Sequence, residues 1–66
     1  MSELMDTKQA AKYLNLKRNT LEVWRVQGSG PPFCKFGRSV RYRRTDLDAF
    51  IERNLVDSTS QTNAER

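Results

Sequence analysis

Leu16-Lys17-Arg18-Asn19-Thr20-Leu21-Glu22-Val23-Trp24-Arg25-Val26 reads as one short helix with two unlike faces. Leu21 and Trp24 are three apart and fall on one side. Arg18, Asn19, Glu22 and Arg25 spread over the other. Such a helix is bolted to a small core by its aromatic anchor and presents its polar side outward. Trp24, spaced three from a leucine, is read as core rather than as a stacking surface for a ligand.

The stretch just before it is a second helix. Asp6 and Gln9 stand in the spacing of a capping box, an acceptor followed three residues later by Gln. The helix then runs Thr7-Lys8-Gln9-Ala10-Ala11-Lys12-Tyr13-Leu14, with Ala10 and Leu14 facing inward and Tyr13 flanking them. The adjacent alanines let another helix come close. Asn15 takes the left-handed conformation that ends a helix, and Leu16 follows as an apolar plug. The second helix starts at Lys17 or Arg18, where the cap is poor. Lys17 has no acceptor side chain and puts a positive charge at the positive end of the helix dipole, at a cost of about 0.5–1 kcal/mol. An anion bound there would remove the conflict; a tolerated poor cap is the alternative. Two short helices joined by a tight turn with Asn in it match the helix-turn-helix pattern.

After the helix pair, Gln27-Gly28-Ser29-Gly30-Pro31-Pro32 is a rigid connector. Phe33 to Arg43 then reads as a β-hairpin. For Cys34, Phe36, Val40 and Tyr42 to share the core face, Phe36 must oppose Val40 and Cys34 must oppose Tyr42. That register makes Gly37-Arg38-Ser39 a three-residue loop. Lys35, Arg41 and Arg43 fall on the outer face and Arg38 at the tip. Thr45 and Asp48 form another capping-box-like spacing. Leu47, Phe50 and Ile51 follow the pattern of a buried stripe, with Leu55 continuing it. The expected core is Leu14, Leu16, Leu21, Trp24, Cys34, Phe36, Val40, Tyr42, Leu47, Phe50 and Ile51. Three segments result: a lead-in strand or arm over 1–5, a folded domain over 6–55, and a tail over 56–66 too polar to bury anything and expected to be disordered.

With 66 residues the chain holds one domain with a marginal core. A single cysteine, Cys34, allows no internal disulfide, and with no histidine there is no zinc site. Cys34 on an apolar strand face is read as a small buried hydrophobe. No metal and no cofactor is expected. No apolar run is long enough for a membrane span or signal peptide, and the expectation is a cytoplasmic protein. The net charge of +4 is unevenly spread. Lys8, Lys12, Lys17, Arg18, Arg25, Lys35, Arg38, Arg41, Arg43 and Arg44 face only one acid, Glu22, within the same span, while the other acids sit at the two ends. A single-sign middle is the footprint of a polyanion-binding surface; a merely solvated basic face is the plainer alternative. With no histidine, and acids mostly at helix starts rather than in a converging pair, an enzyme is the least favoured reading.

The run Asp6 to Leu16 and the run Thr20-Leu21-Glu22-Val23-Trp24-Arg25 resemble the first two helices of MerR-like excisionase domains. The run Gly28 to Arg43, followed by Asp46-Leu47-Asp48-Ala49-Phe50, is similar to small helix-turn-helix proteins of phages and integrative elements, the excisionases and AlpA-type regulators. The resemblance covers roughly residues 4 to 55. It implies an α+β winged helix-turn-helix fold, no catalysis and no small-molecule substrate, and double-stranded DNA as ligand in the bacterial nucleoid. Further partners implied are copies of the chain on adjacent sites and a tyrosine recombinase (integrase) steered toward excision of a mobile element. An AlpA-type transcriptional regulator is the alternative, and a protein-interaction or antitoxin module is the alternative of another class.

Within that frame the DNA contacts expected from the recognition helix are Lys17, Arg18, Asn19, Thr20, Glu22, Val23 and Arg25. From the wing they are Lys35, Arg38, Ser39 and Arg41, and at the start of the first helix Thr7 and Lys8 toward the backbone. Asn19 can pair with adenine, Glu22 can accept from a cytosine amino group, and Val23 can touch a thymine methyl. Arg18 and Arg25 are read as phosphate clamps, because most contacts go to the backbone. Arg38 suits a minor groove or a phosphate. Two alternatives stay open: Arg41, Arg43 and Arg44 as a coat on the sheet, and Glu22 paired with Arg18 on its own helix. Many relatives carry Ser or Thr at Lys17, so the cap and its phosphate contact differ here; many also carry a basic or aromatic residue at Glu22 and Val23, so a different target sequence is expected.

Overall fold

Asp6 caps the first helix as expected. In the computed structural model, which describes residues 3–56, its carboxylate accepts from the Gln9 amide at 2.8 Å, and the Gln9 side chain accepts from the Asp6 amide at 2.9 Å. This closed capping box starts α1, Thr7–Leu14. Asn15 stops it at φ 59°, and the Leu16 amide reaches back to the Ala11 carbonyl at 2.8 Å. The second helix α2, Arg18–Gln27, follows at once and packs on α1 where Ala10 and Ala11 leave room for Leu21. Ahead of α1 lies β1, Leu4–Met5; after α2 come β2, Cys34–Phe36, β3, Ser39–Arg43, and α3, Arg44–Arg53. The strands form an antiparallel sheet in the order β1-β3-β2. Helices packed on a small hairpin-bearing sheet make this an α+β winged helix-turn-helix fold, with β2 and β3 as the wing.

The core is Met5, Ala10, Ala11, Leu21, Tyr42 and Leu47, with Leu14, Trp24 and Val40 packed against it. Trp24 lies against Phe50, ring centroids 5.7 Å apart and tilted by 57°. It also lies close to the connector's backbone. Gly28 ends α2 at φ 76°, and the connector folds back so that a Cβ on Gly30 would lie 2.8 Å from Trp24 Cε3. Pro31 is buried beside it in the chain.

The hairpin register differs from expectation. Cys34 opposes Arg41, Lys35 opposes Val40 and Phe36 opposes Ser39, which leaves a two-residue Gly37-Arg38 turn. Gly37 has φ 63° and Arg38 is not in the left-handed region, the sign pattern of a type II′ turn with Gly first. Cys34 and Phe36 therefore share the outer face with Ser39, Arg41 and Arg43. The inner face carries Val40 and Tyr42, and Phe33 supplies the ring that meets Tyr42, 6.1 Å between centroids. Phe36 is 57% exposed rather than core, and Cys34 is half-buried. Lys35 moves with the slip, from the outer face to the Val40 face.

Two further expectations are corrected. Thr45 does not cap α3: the helix starts at Arg44, and Arg43 holds the cap position without a side-chain cap bond. Strand runs directly into helix, and the Arg44 amide donates to the Glu3 carbonyl at 2.8 Å, so the residue just before β1 satisfies a group a cap residue would otherwise serve. Arg43 instead clamps Asp46 in the first turn, Nε to Oδ2 at 2.7 Å and Nη2 to Oδ1 at 2.9 Å. Leu16 and Ile51, expected in the core, are 41% and 42% exposed. With Leu14, Phe50, Leu55 and Val56 they line an apolar groove that no other described element covers. Residues 57–66 of the expected tail lie outside the described residues.

Candidate nucleic-acid interface

Three segments far apart in sequence meet around one open groove of about 480 Å³. The start of α1 brings Asp6, Thr7 and Lys8, α2 brings Arg18, Glu22 and Arg25, and the wing brings Arg38 to Arg41. Five of these side chains are basic: Lys8, Arg18, Arg25, Arg38 and Arg41. The two acids are engaged. Asp6 caps α1, and Glu22 Oε2 lies 3.5 Å from Arg18 Nε, the intrahelical pair left open by the sequence. That pair is largely exposed and contributes a few tenths of a kcal/mol at most, so it yields readily to a competing phosphate.

Arg25 is held differently from its neighbours. Its Nη1 donates to Thr7 Oγ1 at 3.1 Å and to Tyr42 Oη at 3.0 Å, and its guanidinium stands 5.8 Å from the Phe33 ring centroid. It ties α2 to α1 and to β3, and Thr7 serves as one of its acceptors. These bonds tie the groove's walls together. Arg41 folds back on its own strand, Nη1 to the Val40 carbonyl at 2.8 Å. Arg18 and Arg38 are exposed.

The remaining recognition-helix candidates do not line the groove. Lys17, Asn19 and Val23 are exposed on α2, whereas Thr20 is half-buried. Lys17 makes no side-chain cap bond, so its charge stands unanswered at the helix N-terminus. Lys35 is exposed but stands on the opposite strand face from Arg41. Three residues not chosen as contacts from the sequence belong to the site's surroundings: Asp6 and Val40 line the groove, and Phe36, expected in the core, projects beside the turn. A type II′ reading of Gly37-Arg38, with Gly at the first turn position, is the signal that finds Phe36.

Residues 4–55 match the sequence profile of a helix-turn-helix domain family, from β1 to two residues past α3. The chain belongs to this family. No curated protein matches it. In a helix-turn-helix domain the second helix is the one offered to the DNA major groove. Here that helix is α2, and its exposed side adjoins the basic groove that Arg38 and Arg41 complete from the wing. A DNA-binding domain of this kind works by contact rather than by catalysis. Among the described residues no helix is long and apolar enough to cross a membrane, and no group of side chains could hold a metal ion.

Proposed function

We propose that the protein is an excisionase-type DNA-binding protein: it binds double-stranded DNA sequence-specifically near the attachment sites of a mobile element, bends it, and directs a tyrosine recombinase toward excision. The observation that carries the DNA contact is the convergence of Lys8, Arg18, Arg38 and Arg41 on one groove next to the exposed side of α2. Phosphates take the place of the water around those cations. Asn19, Glu22 and Val23 then read base edges in the major groove, while Arg38 enters the adjacent minor groove or grips its backbone. A domain this small covers few base pairs, so several copies on adjacent sites supply the specificity.

The test begins with a gel shift of element-end duplex across salt. Six to ten phosphate contacts lose about three to five decades of affinity between 50 and 200 mM salt. Arg38→Ala weakens binding to all sequences alike, whereas Asn19→Ala blurs preference at one base position. No shift at low salt rejects the reading. With binding in hand, a recombination assay with purified integrase decides the role. Stimulated excision supports it, and activation of a promoter without any effect on excision replaces it with transcriptional regulation.

A further inference from the structure

Phe36 is the last residue of β2 and, at 57%, the most exposed aromatic side chain among the described residues. The other rings have partners: Trp24 with Phe50, Phe33 with Tyr42, and Tyr13 through its hydroxyl with Asp48. Among the described residues no ring contact involves Phe36. The hydrophobic gain from covering this ring is unused by the fold and is available to whatever the wing meets.

Its placement is defined by the hairpin. Phe36 and Ser39 oppose each other on the rung that closes the Gly37-Arg38 turn. Directly opposed side chains share a face at about 5 Å. Ser39 lines the basic groove, and Arg38 beside it is exposed at the tip. The ring thus stands on the outer face of the wing, paired with Ser39, at the base of the turn that carries Arg38. Minor-groove proteins that kink DNA combine these two elements, an arginine drawn to the groove's negative potential and an apolar side chain pushed between base pairs.

We infer that Phe36 is a DNA wedge: with α2 seated in the major groove and Arg38 in the neighbouring minor groove, the Phe36 ring inserts at one base step, partly unstacks it and kinks the duplex. The inference rests on the DNA-binding reading above and supplies the device by which the protein bends its site. The step it selects is pyrimidine–purine, TA or CA/TG, because those steps unstack most readily.

The test uses the full chain and a duplex selected by it from a random pool. Bending is read by end-to-end energy transfer, and unstacking by 2-aminopurine placed at successive positions. The wild type bends the duplex by about 20–90° and brightens the probe at one step under the wing. Phe36→Ala keeps the wild-type circular dichroism spectrum and the base preference read by α2, loses the preference for a pyrimidine–purine step under the wing, binds about tenfold more weakly, and loses the brightening and most of the bend. Phe36→Leu, which retains an apolar wedge, keeps both signals. A wild type that bends DNA without brightening at any step overturns the inference, as does a Phe36→Ala protein that bends DNA normally. A wild type that selects a duplex but leaves it straight sinks the wedge alone. One that selects no duplex sinks the DNA-binding reading and the wedge with it.

Discussion

Arg25 on α2 and Tyr42 on β3 are joined by a hydrogen bond from Arg25 Nη1 to Tyr42 Oη at 3.0 Å. Tyr42 is 1% exposed, so its hydroxyl has little water to turn to if the bond is lost. The same nitrogen reaches Thr7 at 3.1 Å, so one guanidinium holds three elements together around the groove. Arg25→Ala removes bonds from a charged donor, and we expect a loss of about 1.5–3 kcal/mol in urea unfolding. Arg25→Lys recovers less than half, since a single ammonium lacks the planar fork and the stacking on Phe33. A loss below about 0.5 kcal/mol would make Arg25 an ordinary surface cation instead.

Gly28 and Gly30 both have positive φ, 76° and 83°, but only Gly30 is also crowded. At Gly28 an added Cβ meets nothing within 4 Å; at Gly30 it lies 2.8 Å from Trp24 Cε3 and 3.0 Å from Trp24 Cβ. Gly28→Ala bears the left-handed backbone penalty alone, about 1–2 kcal/mol. Gly30→Ala adds overpacking against Trp24, about 1–3 kcal/mol more. Thermal melts of the two variants separate the terms. Equal losses would mean that Trp24 moves aside freely and does not anchor the connector.

Much of this architecture is legible in the amino-acid sequence. Asp6 with Gln9, Asn15 and Gly28 are local signals whose partners lie within five residues, and they mark the ends of α1 and α2 where they occur. The wing register is not legible by alternation alone. Cys34, Phe36, Val40 and Tyr42 tempt a reader to pair four apolar residues on one face, yet the backbone preference of Gly37 at the first turn position prevails. The register it sets puts Phe33 on the inner face and Phe36 on the outer. Arg25 is harder still. Its partners are 17 and 18 residues away, and no local pattern distinguishes it from Arg18, which shares its helix and remains exposed.

Tyr13 on α1 and Asp48 on α3 form a second long-range bond, the phenol donating to the carboxylate. This bond holds the Tyr13 hydroxyl above its ordinary value of 10.0, with desolvation and the Asp48 charge adding to the rise. The neutral phenol is thus favoured in the folded state. Its stabilising contribution is complete below pH 10, and it fades as pH rises through the elevated folded value. Urea midpoints measured from pH 8 to about 12 should fall more steeply for the wild type than for Tyr13→Phe. Parallel curves for the two proteins would show that the bond does not couple to folding.

Lys17 offers a test of stability against binding. It occupies the N-cap position of α2 with no acceptor for the free amides, and its charge opposes the helix dipole. Lys17→Ser supplies an acceptor and removes the charge, so the protein gains about 0.5–2 kcal/mol of stability. If a phosphate occupies that helix end in the complex, the lysine answers it, and the same substitution weakens DNA binding. The slope of log affinity against log salt then falls by about 0.9, the value for one phosphate contact. A Lys17→Ser protein that is both more stable and equally tight on DNA, with an unchanged salt slope, would place Lys17 outside the interface. The poor cap would then have no binding role to explain it.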